Sequence, residues 1–555
     1  MTDPARPGPA AQGTDDLDLT APDGVRLAAT LVRPAAATWP AVLIRTPYGR
    51  GRLLPEARGW AAHGFGCLVV DVRGRGGSTG EFRPYAHETD DGAAALAALR
   101  ATPGCDGRVV LAGASYGAHC AVAGALADPG VCGVLAAVPA LGPGETAREP
   151  GGAARLACRI GWWSEHGAGA RPAAPSAAAT LPVSGALTPA PDGWADLWDA
   201  PEETPWLWSG IARAAMPLLA VGGTADPFAA RTRELARRWG GPSRLVLGPW
   251  GHELDAPAPG AVLAGRRIGA VYAAWARAAV QGRPRGRGAL VAVGETGRWV
   301  RAGDGPAVTV AAAPPDGFPA GFVAAPERPV RSRPPGAPTP ALAPIDGAAP
   351  AATPPAATPA ATPAATPAAT PAATTAATTA ATTAATTATS TGTTAATTSA
   401  TTAATTESAA AGRPADRVVA HTPPLPAGVL AGPLVVTVTG ETDAPDADWV
   451  VRVGLRGHDL VTAVHRHRGP ASRQVVVTTP PVGAAVGEGD RLRVEIAGHH
   501  WPAHARNPHT GRDPAHATEL RADRRTVHAL RLDLPHVRPG RDEVAAAAIP
   551  EEVTL

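Results

Sequence analysis

Six short runs in the first half of the chain, at 41–44, 67–72, 109–112, 134–138, 218–221 and 244–247, are apolar almost without interruption. Such runs suit strands of a parallel sheet buried on both faces, where no polar side is needed. Residues 89–101 and 227–239 read as the crossover helices between them. Alternating β and α elements predict an α/β domain over 18–288. Past residue 412 the pattern changes to period two, in runs at 434–439, 449–453, 473–478, 491–496 and 526–532 separated by turn residues. That alternation predicts a C-terminal β-sandwich of jelly-roll type, assigned to 289–333 and 413–555, with its first strand expected at 289–293.

Two stretches break the pattern. Residues 141–211 lack clear strands and hold six tryptophans, so they read as a helical cap over the strand ends. Trp162, Trp163, Trp206 and Trp208 are candidates for its substrate-facing wall, against the plainer reading that such tryptophans hold the cap together. From 334 to 412, Ala-Ala-Thr-Pro repeats give way to Ala-Ala-Thr-Thr, a composition with nothing to bury, and a disordered insertion is expected. Nicking by a protease near Thr375 is therefore expected to leave activity intact, which an assay before and after cleavage checks. Residues 1–17 read as a disordered tail.

Within this frame the run at 109–112 leads straight into G-A-S-Y-G at 113–117. Strand, G-x-S-x-G and helix form a nucleophile elbow, which lifts the Ser115 hydroxyl off the sheet and aims the Tyr116 backbone N–H at a developing oxyanion. A serine nucleophile needs a base, and the base an orienting carboxylate. Two later strands end in suitable turns, G-G-T-A-D-P-F with Asp226 and G-P-W-G-H with His252. Both side chains leave the carboxyl ends of buried strands, where open α/β sheets place their sites. Placement and the chain order Ser, Asp, His favour Ser115–His252–Asp226 over the rival bases His119, His63 and His87 and the rival acids Glu253 and Asp255. Tyr48, in the turn after the strand at 41–44, is the candidate second oxyanion donor.

Composition narrows the classes. Net charge is +2 at pH 7, with no lysine and 50 arginines, and no basic footprint for nucleic acid stands out. The 5 cysteines form no C-x-x-C pair and read as free thiols of a reducing compartment. The first 20 residues contain no apolar signal segment, and no run is long enough for a membrane span, so a cytoplasmic protein is expected. No cofactor is called for. His499, His500, His504 and His509 cluster, but Pro502 and the Asn507-Pro508 turn deny them a helix, and no metal site is expected.

The motifs together resemble the cocaine esterase and X-Pro dipeptidyl-peptidase group of serine hydrolases. The matching pieces include R-T-P-Y-G at 45–49, D-V-R-G-R-G-G-S-T-G-E-F at 71–82 and C-D-G-R-V-V-L-A-G-A-S-Y-G at 105–117. T-A-D-P-F at 224–228, G-P-W-G-H at 248–252 and, in the β half, W-P-A-H-A-R-N-P-H-T-G at 501–511 continue the likeness. The resemblance implies an α/β-hydrolase core, a helical cap and a jelly roll, with Ser115 as nucleophile, His252 as base, Asp226 as acid, and Tyr48 and Tyr116 forming the oxyanion hole. Members acting on α-amino substrates carry an acid just after the oxyanion tyrosine; here that position is Gly49, followed by Arg50. Glu81, Glu165 and Glu203 are possible substitutes. The expectation is thus a serine esterase of a small-molecule ester, amide or short peptide. X-Pro dipeptide release or α-amino acid ester hydrolysis is the alternative, and a non-catalytic binding protein the remote one.

Overall fold

The computed structural model describes residues 13–254, 262–263, 266–303, 308–337, 415–469, 474–537, 542–545 and 548–554. The repeat tract lies outside these from residue 338 onward.

The expected α/β sheet forms from β1 (Gly13–Thr20), β2 (Arg26–Arg33), β3 (Trp39–Thr46), β4 (Gly66–Asp71), β5 (Cys105–Ala114), β6 (Gly133–Ala137), β7 (Leu218–Gly223) and β8 (Ser243–Gly248). Beyond the small hairpin β9 (Val262–Leu263) and β10 (Arg266–Arg267) it is completed by β11 (Arg287–Ala292), β12 (Trp299–Arg301) and β23 (Glu543–Val544). The strand order is β1-β2-β4-β3-β5-β6-β7-β8-β11-β12-β23, parallel from β4 through β11. Strands β4, β6 and β7 are buried along their whole length, which explains their unbroken apolar sequence. Helices α1 (Leu54–Ala62) and α9 (Ile268–Val280) cover one face. Helices α2 (Glu88–Ala101), α3 (Tyr116–Ala127) and α8 (Ala229–Arg238) cover the other.

Two boundaries move. The strand expected to open the β-sandwich is β11, and it instead pairs in parallel with β8, Leu290 beside Val246. Its apolar run, like that of a buried parallel strand, belongs to the α/β sheet. Residues 13–17, assigned to the tail, form most of β1, antiparallel to β2. Asp15, Asp16 and Asp18 reach Arg33, Thr30 and Arg26 across this edge, so its aspartates are paired on the strand.

The cap contains α4 (Pro143–Ala147), α5 (Ala157–His166), α6 (Trp194–Asp199) and α7 (Pro205–Arg213). The β-sandwich has two facing sheets. One runs β13 (Val308–Ala312), β21 (Asp523–Leu534), β16 (Gly428–Thr442), β19 (Gln474–Val486), with β14 (Ala320–Ala324) and β22 (His536–Val537) at its margins. The other runs β15 (Arg417–His421), β20 (Leu492–Ala497), β17 (Asp446–Leu455), β18 (His458–Arg468). Valines and leucines from both sheets form a single core between them. No helix among the described residues is long and apolar enough to cross a membrane.

Candidate active site

At the end of β5 the chain reverses through Ser115, whose φ of 55° and ψ of −122° are strained for a residue with a side chain. A Cβ on Gly113 would sit 2.2 Å from the Gly117 carbonyl oxygen, so the turn closes only around glycine. Helix α3 starts at Tyr116, and the first N–H groups of a helix have no intrahelical acceptor. The two downstream turns are laced together by Thr224 N–H donating to Gly248 O (2.9 Å) and Ala225 N–H to Trp250 O (3.1 Å). A Cβ on Gly223 would lie 1.8 Å from Trp250 O, so this approach too depends on glycine.

Lacing places Asp226 against His252. His252 Nδ1 lies 2.8 Å from Asp226 Oδ1, and His252 Nε2 lies 3.0 Å from Ser115 Oγ. With the carboxylate accepting at Nδ1–H, Nε2 is the free lone pair facing the serine hydroxyl. Asp226 Oδ1 also accepts from Phe228 N–H at 3.2 Å, while the buried Oδ2 has no partner among the described residues.

Tyr48 donates its hydroxyl to Ser115 Oγ at 3.3 Å and accepts from Trp162 Nε1 at 3.2 Å. The Trp162 ring stacks on that of Tyr116, centroids 5.9 Å apart. Below, Tyr116 donates to Glu88 Oε1 at 2.6 Å, and Glu88 pairs with Arg45 at 2.6 Å. Burial pushes the Glu88 carboxyl up, but Arg45 and the Tyr116 hydroxyl outweigh it and hold it below the ordinary range. Arg45 sits in β3 just ahead of Tyr48, so one buried ion pair ties the turn carrying Tyr48 to the helix carrying Tyr116.

A cavity of about 940 Å³ opens on this constellation, walled by Ser115, His252, Tyr48, Trp162, Trp60 and Tyr272 among others. Of the four tryptophans expected to face substrate, Trp162 alone lines it. Trp163 packs into the cap core against Trp194, and Trp208 donates to Glu145 Oε1 at 2.8 Å. Trp206 is 46% exposed on the surface. The plainer reading, that cap tryptophans hold the cap together, describes Trp163, Trp194 and Trp198.

The rival residues are not members of the Asp226–His252–Ser115 chain. His119 is buried, its Nδ1 accepting from Gly142 N–H, and burial pushes it down to about 4. His63 lines the cavity without touching Ser115, and Asp255 lies outside the described residues. Of the carboxylates considered for an ammonium, Glu203 is engaged by Arg238 at 2.9 Å, Glu81 faces solvent, and Glu165 lines the cavity. Glu253 lines it as well, as does Glu56, which no local motif had singled out. His500 and His504 approach each other, Nδ1 to Nδ1, at 3.1 Å, and His509 Nδ1 bonds Arg521 O at 2.8 Å. Among the described residues no group of three or more histidine, cysteine or acidic side chains could hold a metal ion.

Known proteins match this chain in both sequence and fold. Residues 23–253 match the family model described as X-Pro dipeptidyl-peptidase (S15 family). A cocaine esterase from Rhodococcus sp. (strain MB1 Bresler) is 29% identical over 276 residues, 41% of this chain and 47% of that protein. The match thus spans about half the length of the curated relative. An aminopeptidase from a marine sediment Thaumarchaeota archaeon superposes with a TM-score of 0.64 at 17% identity, covering 96% of this chain and 98% of that one. An α-amino acid ester hydrolase superposes with a TM-score of 0.65 at 16% identity, covering 97% and 98%. At these identities the two structures speak for the fold alone. Motifs, family model and sequence relative agree: the chain is similar over residues 23–253 to the S15 X-Pro dipeptidyl-peptidase family, and over 276 residues to a cocaine esterase.

Proposed function

We propose that the protein is a serine hydrolase that cleaves carboxylic esters through an acyl-enzyme on Ser115. The observation that carries this reading is the unbroken chain Asp226–His252–Ser115, with both contacts at 3.0 Å or less. Ser115 Oγ attacks the ester carbonyl carbon as its proton passes to His252 Nε2. Asp226 holds the imidazole in the accepting tautomer and stabilises the imidazolium. The carbonyl oxygen, now an anion, accepts from the Tyr48 hydroxyl and the Tyr116 backbone N–H. Collapse expels the alkoxide, which takes the proton from His252; water then repeats the sequence and frees the acid. Trp162 N–H, bonded to the Tyr48 oxygen, orients that hydroxyl toward Ser115.

The cavity falls in the size range of small-ligand sites, and its aromatic walls suit an aryl or bulky acyl group. A second reading, release of X-Pro dipeptides or hydrolysis of α-amino acid esters, has one specific support. Glu56, Glu165 and Glu253 all line the cavity and could receive a substrate ammonium. The five cysteines are unpaired, which supports a cytoplasmic location. Steady-state assays with p-nitrophenyl acetate and benzoate beside Gly-Pro-p-nitroanilide decide between the readings. Ester turnover without anilide turnover is expected; efficient anilide cleavage would replace the esterase with the peptidase.

A further inference from the structure

The turn that carries the orienting aspartate is clasped from outside the α/β domain. Arg155, in the cap and 1% exposed, bonds Glu149 through two nitrogens, at 3.0 and 2.7 Å. It also donates to Glu145 O at 2.8 Å, to Arg148 O at 2.9 Å and to Pro227 O at 3.2 Å. Its guanidinium centre lies 5.1 Å from the centroid of the Phe228 ring, whose edge-on contact with the His252 imidazole is 5.4 Å. Pro227 and Phe228 directly follow Asp226, and the Phe228 N–H is the donor to Asp226 Oδ1.

Arg155 is itself seated by the β-sandwich half of the chain. His504 Nε2 bonds Glu149 Oε1 at 3.0 Å, and His500 backs His504. Leu156 N–H donates to Ala503 O and Ala505 N–H to Ala154 O, both at 2.9 Å, pairing the two backbones. Burial raises the Glu149 carboxyl, yet Arg155 and His504 hold it at about 2, so it stays ionised and keeps Arg155 in its fork.

We infer that Arg155 is a positioning residue for the Asp226–His252 pair, locked in place by Glu149 and by His504 of the β-sandwich half. It fixes Asp226 through the Pro227 carbonyl and the Phe228 ring, and it touches no reacting atom. Such a fork is rigid where lysine would offer a single mobile donor. A small displacement of the carboxylate tilts the imidazole, and a triad is sensitive to shifts of this size.

The inference rests on Ser115 being the nucleophile, and its test reads that serine directly. Full-length protein is treated with a small alkyl fluorophosphonate: the Ser115 Oγ–P bond forms, fluoride leaves, and the Oγ proton passes to His252. Arg155→Gln is expected to lower the maximal inactivation rate roughly tenfold while leaving the half-saturating probe concentration unchanged. Arg155→Lys should recover part of the rate, and His504→Phe should show a smaller loss of the same kind. A rate equal to the wild type in Arg155→Lys and His504→Phe, with only the melting temperature lowered, would make the clasp a packing feature and overturn the inference. If Arg155→Gln does not fold, His504→Phe decides by the same criterion. Wild-type protein that fails to react would instead overturn the serine-hydrolase reading, and the inference with it.

Discussion

Ser115→Ala is expected to lower kcat on p-nitrophenyl acetate by about 10⁶-fold, the order found when the nucleophile of a working triad is removed. Geometry leaves no substitute at the site. His252 Nε2 faces Ser115 Oγ at 3.0 Å, and the rival His119 is buried against Gly142. What would survive is the proposed pair of donors at Tyr48 and Tyr116, expected still to bind the developing oxyanion and keep a residual rate above that in water. The substitution exchanges one short side chain for another on an already strained backbone, so the melting temperature should barely move. Wild-type protein should show a burst of nitrophenolate as the acyl-enzyme fills, and the variant none. Turnover that persists in Ser115→Ala would place the hydrolysis at another group and remove the proposed mechanism.

What the sequence discloses here is what short segments decide. A strand running into G-A-S-Y-G specifies its own turn, because Gly113 and Gly117 are needed within five residues of each other. The turns bearing Asp226 and His252 are equally local, and each is announced by the apolar run before it. The lacing between them depends on Gly223 meeting Trp250 O, a contact no pattern in either segment announces. Arg155 was invisible for a related reason. Its partners come from the segment at 145–149, the Asp226 turn and, through Glu149, the loop at 500–505, and one arginine among 50 carries no signal. Trp163 and Trp208 misled because tryptophan serves a cap core and a substrate wall equally well, and only packing tells them apart. Strand β11 belongs to the α/β sheet, where its sequence alone does not place it, since an apolar run of its length fits a buried strand in either sheet. Residues 13–17 read as tail because the pairing that makes them a strand lies on β2, outside the segment itself.

Asp226→Asn should lower kcat about 10⁴-fold, a smaller fall than loss of the nucleophile brings. Asp226 Oδ1 already accepts from both His252 Nδ1 and Phe228 N–H, and Oδ2 is buried without a partner among the described residues. An asparagine has two ways to fill this space. If its oxygen takes the Oδ1 position, the imidazole keeps its tautomer, but the charge that stabilises the imidazolium is gone. The amide nitrogen is then buried unpaired, at a cost of about 1–3 kcal/mol. If the amide nitrogen takes that position, it opposes the Phe228 N–H and forces His252 to accept at Nδ1. Nε2 then carries the proton, points it at Ser115 Oγ, and cannot act as a base. Neither orientation preserves catalysis, and both leave a buried polar group in conflict, so a lower melting temperature should accompany the loss of rate. KM should change little, because Asp226 is not among the residues lining the cavity. A fall of less than tenfold in kcat would mean that the imidazole draws its orientation from another acid, and Glu253, on the cavity wall beside His252, would be the residue to substitute next.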